Sequence, residues 1–195
     1  MVHSTLSRRF GPQDAAFLYS DTDAAPLNVG SVGIFEGEIP FDRFLESVAS
    51  KLHLVPRYRQ RVVPPPFNAG RPTWEYDPNF DIRRHIHRLR IEPPGTDSQL
   101  ADLAARLYAG RLDRGKPLWD VYMVEGLEGG RTGMIAKTHH CLVDGVSGIE
   151  LLMVTLDVSQ DPAPPPPPSG PYNPPPIPDR LSLLFDAIWD GAAEG

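Results

Sequence analysis

Leu118-Trp-Asp-Val-Tyr-Met-Val-Glu125, Gly126-Leu-Glu-Gly-Gly-Arg131 and Thr132-Gly-Met-Ile-Ala-Lys-Thr138 follow one another without a break. The first run alternates with a period of two and the third is a mostly apolar extended run, so both predict strands. The glycines between them supply the positive φ that a tight connection needs, and the pair is expected as adjacent antiparallel strands. Downstream, Ser147 to Leu156 sets Ile149, Leu152 and Leu156 roughly on one helical face. Upstream, Phe41, Phe44, Leu45, Val48, Ala49 and Leu52 recur at helical spacing, as do Leu100, Leu103, Ala104 and Leu107. Both patterns predict amphipathic helices whose apolar faces are core. Asp97 is the expected N-cap of the second, with Gly110 and Gly115 loosening its end. Further strands are expected at Val29 to Phe35 and Ile82 to Ile91. No internal repeat is visible, and the mixture predicts an α+β sandwich-like domain.

Where the second strand of the hairpin ends stand His139-His140-Cys141-Leu142-Val143-Asp144-Gly145. Four fixed positions in this window of seven arise by chance in on the order of one chain per thousand of this length. A neutral imidazole, with an ordinary pKa of about 6.5, takes a proton from an alcohol or amine near neutrality. Such a transfer is worth about 10²–10⁴ in rate. Neighbouring side chains on extended backbone point to opposite faces, so only one of the two histidines faces a given cavity. We assign His140 as the general base and His139 as its support. Asp144 either holds an imidazole tautomer or pairs with an arginine to fix the loop, and Gly145 adopts turn angles closed to other residues.

Competing readings of the same residues are weaker. Two histidines on a strand often do no more than pack. A metal site built from His139, His140 and Asp144 needs ligands that diverge on a strand, and no further Cys/His cluster has ligand spacing. Cys141, the single cysteine, invites a Cys–His nucleophile, yet buried cysteines act mostly as small hydrophobes. Gly145-Val-Ser-Gly148 misses the Gly-x-Ser-x-Gly elbow of serine hydrolases by one position.

The chain resembles the N-terminal half of the bacterial wax ester synthase/acyl-CoA:diacylglycerol acyltransferase family, and in particular its actinobacterial triacylglycerol synthases. The likeness covers most of residues 5–156. It opens with Leu6-Ser-Arg-Arg-Phe-Gly-Pro-Gln-Asp-Ala-Ala-Phe17 and continues from Val62 to His85 through Arg71-Pro-Thr-Trp74 and Phe80-Asp81. Leu112-Asp-Arg-Gly-Lys-Pro-Leu-Trp119 carries the Pro-Leu-Trp element that separates the family from condensation domains, and Lys137 to Gly148 carries the histidine motif. The resemblance implies a chloramphenicol acetyltransferase-like two-layer sandwich, a mixed, largely antiparallel sheet packed with helices, one of two similar halves. It also implies transfer of a fatty acyl group from acyl-CoA to diacylglycerol or a long-chain alcohol, with no covalent enzyme intermediate and no metal or redox cofactor. His140 would activate the acceptor hydroxyl, Asp144 would be the structural acid and Gly145 the turn glycine. Pro117, Leu118 and Trp119 would support the core near the site. The second half, which closes the active-site tunnel in the family, would lie beyond Gly195 or in a separate chain. The rivals are a condensation-type N-acyltransferase acting on carrier-protein thioesters and a non-catalytic interaction subunit.

The remaining sequence bounds these expectations. At 195 residues the chain suits one domain, burying roughly 70% of its unfolded surface. A net charge of −6 argues against nucleic acid as a partner. The basic run Arg83 to Arg88 reads as a solvated face, or as a grip for coenzyme A phosphates. One cysteine fits a reducing compartment, and no run approaches a membrane span of ~20 apolar residues. The expected location is cytoplasmic, with peripheral contact to a membrane or lipid droplet. We divide the chain into an acyltransferase-like domain at 1–158, a proline-rich spacer at 159–178 and a helix at 179–195. The spacer has prolines at 162, 164–168, 171, 174–176 and 178, which lock φ and remove donors; a Pro-x-x-Pro recognition ligand is its sharper reading. Asp179 is expected to cap the helix, whose Leu181, Leu184, Phe185 and Ile188 form an apolar stripe for the other half or a lipid surface.

Overall fold

The computed structural model describes residues 7–143, 156, 157, 159 and 163–193. The expected helix from Ser147, together with Asp144 and Gly145, lies outside the described residues save for Leu156. The hairpin is formed by β5 (Trp119–Leu127) and β6 (Arg131–His139), antiparallel and adjacent. Gly126, Gly129 and Gly130 all have positive φ, the left-handed region that side chains avoid. Strand β1 (Asn28–Phe35) pairs antiparallel with β6, and β4 (Ile86–Arg90) pairs parallel with β5. The sheet order is β1-β6-β5-β4, mixed and largely antiparallel as expected. A separate two-stranded ribbon joins β2 (Gln60–Val63) to β3 (Thr73–Tyr76).

Period-two alternation along the hairpin sends side chains into two cores. Trp119, Val121, Met123, Met134 and Ala136 face one side, against Leu18 of α1 (Pro12–Ser20), against Phe44, Leu45 and Val48 of α2 (Phe41–Lys51), and against Tyr58 and Trp74. Val124, Leu127 and Ile135 face the other, where α3 (Asp97–Ala109) supplies Leu100 and Ala104. The cap of α3 is Thr96 rather than Asp97. The Thr96 hydroxyl accepts from the Gln99 amide at 3.3 Å while the Gln99 side chain accepts from the Thr96 N–H at 2.8 Å. That reciprocal box satisfies two orphan donors, and an aspartate one position later could not close it.

Strand β1 approaches β6 closely because Gly30 has no Cβ: one built there would collide with the Ala136 carbonyl and the Tyr108 hydroxyl. The Tyr108 hydroxyl donates to that carbonyl at 2.7 Å. The expected strand from Ile82 to Ile91 is broken. Ile82–Arg84 form a 3-10 turn, with Asp81 accepting from the Arg83 amide, and β4 begins only at Ile86.

The proline-rich segment lies against the domain through Tyr172. Its hydroxyl donates to the Asp77 carbonyl at 2.9 Å, and its ring meets Tyr76 and Phe80 edge-on beneath the Arg59 guanidinium. Asp179 caps α4 (Arg180–Ala193), accepting from the Ser182 amide at 2.8 Å. The face of α4 that packs on the domain carries Leu183 and Ala187, beside an ion pair from Arg8 to Asp186. Leu181, Phe185, Ile188 and Trp189 therefore point outward. Among the described residues no helix is long and apolar enough to cross a membrane.

Candidate active site

Strand β6 ends at His139, and His140 starts a 3-10 turn through Leu142. Two backbone bonds fix this junction. The His139 N–H donates to the Leu118 carbonyl at 3.0 Å, and the His140 N–H donates to the Leu27 carbonyl at 2.8 Å. The two imidazoles consequently occupy different surroundings. His139 is 1% exposed, whereas His140 is half-buried with its ring against Phe17, centroids 3.9 Å apart. Nδ1 of His140 has no hydrogen-bond partner among the described residues.

His139 Nδ1 accepts from the Cys141 N–H at 3.1 Å. On the far side of the ring, Nε2 lies 3.6 Å from Oδ2 of Asp21. Burial drives the His139 imidazole toward its neutral form, and the Asp21 charge only partly offsets this. Burial also acts on Asp21, but the Leu27 N–H and the Arg111 and Arg114 guanidinium groups outweigh it and hold the carboxyl at about 2. Those bonds are 3.0, 2.7 and 2.9 Å long. The Cys141 thiol is buried and pushed well above the ordinary thiol range by desolvation, which opposes a thiolate nucleophile.

Pro117, Leu118 and Trp119 are all buried directly beside this junction. Trp119 pairs with Thr138, its indole N–H donates to the Tyr58 carbonyl at 2.8 Å, and its ring stacks on His85 at 4.4 Å. Phe80 stacks on the other face of His85. The basic run Arg83 to Arg88 is therefore not one solvated face: His85 is 1% exposed inside the core while its neighbours Arg83 and Arg84 are exposed. Lys116 and His87 converge on Oδ1 of Asp120, at 2.5 and 3.0 Å, so much of the local charge is internally paired.

Burial lowers the His85 imidazole to about 4, and its Nδ1–H donates to the Trp119 carbonyl at 2.8 Å. The unfolded chain binds this proton near the ordinary 6.5, so the contribution of His85 is complete above 6.5 and is lost as pH falls toward 4. The gap is worth about 3 kcal/mol. Unfolding titrations of His85→Phe are expected to show a shallower loss of stability between those limits; an unchanged slope would contradict the assignment.

Among the described residues no group of three or more His, Cys, Asp or Glu could hold a metal ion. Two clefts of about 260 and 470 Å³ lie under the proline-rich segment and share His53, Arg59 and Tyr172, so neither involves the histidine pair. Asp21, Arg111 and Arg114 were not singled out in the sequence. They reach the site from segments far apart in the chain, and no local spacing marks them.

Residues 10–192 match the family described as the wax ester synthase/diacylglycerol acyltransferase catalytic domain. The chain is 41% identical over 149 residues to a putative diacylglycerol O-acyltransferase of Mycobacterium bovis, covering 75% of this chain and 32% of that protein. It is 36% identical over 185 residues to the probable diacylglycerol O-acyltransferase tgs3 of Mycobacterium tuberculosis, covering 93% of this chain and 68% of that one. Against the first it thus spans about a third of the relative's length. Among solved structures it is similar to the wax ester synthase/diacylglycerol acyltransferase from Marinobacter aquaeolei VT8, with a TM-score of 0.59, 26% identity, and 74% and 37% of the two chains covered. A starter condensation domain of rhizomide synthetase shares the fold, with a TM-score of 0.60 at 12% identity over 76% and 36% of the chains. The chain therefore has the chloramphenicol acetyltransferase-like fold.

Proposed function

Because the chain belongs to the wax ester synthase/diacylglycerol acyltransferase family, we propose that it supplies the base-carrying half of an acyl-CoA-dependent O-acyltransferase. The acceptor is diacylglycerol, a long-chain alcohol, or both. One observation carries the reading: His140 stands at the end of a β-strand, half-buried against Phe17, with its buried Nδ1 unbonded among the described residues. A neutral imidazole held there removes the acceptor's hydroxyl proton as the oxygen attacks the thioester carbonyl. A C–O bond forms, the C–S bond breaks, and the leaving thiolate of coenzyme A recovers the proton from the imidazolium. In this reading the buried ring of His139 has the supporting role, Asp144 the structural or orienting role and Gly145 that of the turn glycine, while Pro117, Leu118 and Trp119 brace the strand end.

Residues 1–158 are read as the acyltransferase-like domain, 159–178 as the spacer and 179–195 as a helix facing a second half. That half resides in the further length seen in the relatives or in a separate chain. The outward Leu181, Phe185, Ile188 and Trp189 support such a partner. The enzyme works in the cytoplasm, in peripheral contact with the membrane or lipid droplet that holds its acceptor.

The test offers palmitoyl-CoA with diacylglycerol, hexadecanol or an aminoacyl carrier protein to the native assembly, whose composition is read by gel filtration and mass spectrometry. Ester formation with either alcohol is expected. Product only from the amine would assign a condensation-type enzyme, and a stable, inactive monomer would assign an interaction subunit.

A further inference from the structure

We propose that Asp21 is a positioning residue for acyl transfer, one carboxylate whose two oxygens orient both histidines of the pair. The proposal rests on the reading of His140 as the base. Oδ1 of Asp21 accepts from the Leu27 N–H at 3.0 Å, and the carbonyl of that same Leu27 accepts from the His140 N–H at 2.8 Å. Asp21 thus holds the residue whose carbonyl receives the His140 N–H. Its Oδ2 faces His139 Nε2 at 3.6 Å. Because His139 Nδ1 accepts from the Cys141 N–H, the neutral ring carries its proton on Nε2, which makes no hydrogen bond among the described residues and has the carboxylate at ion-pair range.

The carboxylate is itself held from several sides. Its side chain is 2% exposed and Oδ2 accepts from both Arg111 and Arg114, while Arg114 also donates to the Leu18 carbonyl at 2.7 Å. Asp21 is the C-cap of α1, its N–H bonded to the Phe17 carbonyl, and Phe17 is the ring lying on His140. One helix end therefore places an acid on the first histidine and an aromatic face on the second. A core that needed only filling would not put a polar ring at 1% exposure beside a charged acid.

The test begins on the intact chain with ¹⁵N-labelled histidine at pH 7. The ring signals that disappear in His139→Gln are expected to report the Nε2–H tautomer in the wild type; an Nδ1–H tautomer or an imidazolium overturns the proposal. Asp21→Asn is then expected to shift the His139 ring signals and the His140 amide. In the assembled enzyme it should lower kcat about 10-fold or more, the scale of a sub-ångström misplacement, with little change in the KM for acyl-CoA and partial recovery in Asp21→Glu. A wild-type kcat in Asp21→Asn sinks the idea. If Asp21→Asn does not fold, the wild-type tautomer and Asp21→Glu decide. An active His140→Ala enzyme with the expected His139 tautomer would instead refute the base and leave the coupling of Asp21 to His139 standing.

Discussion

His140→Ala is expected to cut kcat in the assembled acyltransferase by about 10²–10⁴, the range supplied by a positioned general base. KM for acyl-CoA should change little, because the lost interaction belongs to the proton transfer rather than to thioester binding. Stability should barely respond. The ring is half-buried and its main contact is Phe17, a pair worth about 0.5–1.5 kcal/mol. For a chain of this size that corresponds to a melting shift of only a few degrees, at about 2–4 °C per kcal/mol. Turnover and thermal unfolding measured on one preparation check both parts. A variant that keeps wild-type kcat would remove His140 from the chemistry, whereas a collapse in melting temperature would make its role structural.

Trp119→Ala should show the opposite profile, a large loss of stability. The side chain is wholly buried, stacks on His85, meets Tyr58 edge-on and donates its indole N–H to the Tyr58 carbonyl. Truncating such a residue costs about 3–5 kcal/mol through lost burial and the cavity left behind. Against a typical total of about 5–15 kcal/mol, that change approaches the threshold of unfolding. Trp119→Phe, which keeps most of the packing but removes the indole donor to the Tyr58 carbonyl, should cost about 1–3 kcal/mol. Urea unfolding of the two variants measures the difference, and a cost below about 1 kcal/mol for the alanine would contradict the bracing role of the buried indole. The Trp119 backbone pairs with Thr138, next to His139, so a tilt of this strand would also be felt at the histidines.

The elements legible in the sequence are those whose signal is local. Alternation between Leu118 and Glu125, the glycines at 126, 129 and 130, and the helical spacing of Phe41 to Leu52 each depend on neighbours within a few residues, and each became the expected element. Even the misread cap of α3 was local: Thr96 and Gln99 have the spacing of a capping box, which the charge on Asp97 obscured. The run Arg83 to Arg88 failed differently. Its composition describes a wet face, but His85 is held inside by rings from Phe80 and Trp119 that no window of sequence contains.

The sequence by itself determined the hairpin, the flanking helices and a histidine pair at a strand end, because backbone periodicity and motif spacing act over one or two turns. Only the tertiary structure decided which imidazole is sealed and which stays half-open, and that Asp21, Arg111 and Arg114 gather around the sealed one. The physical reason is that burial and electrostatics act through space. Residues 90 positions apart, as Asp21 and Arg111 are, share a charge-assisted bond only after the sheet has brought their loops together, and nothing in either neighbourhood encodes the other.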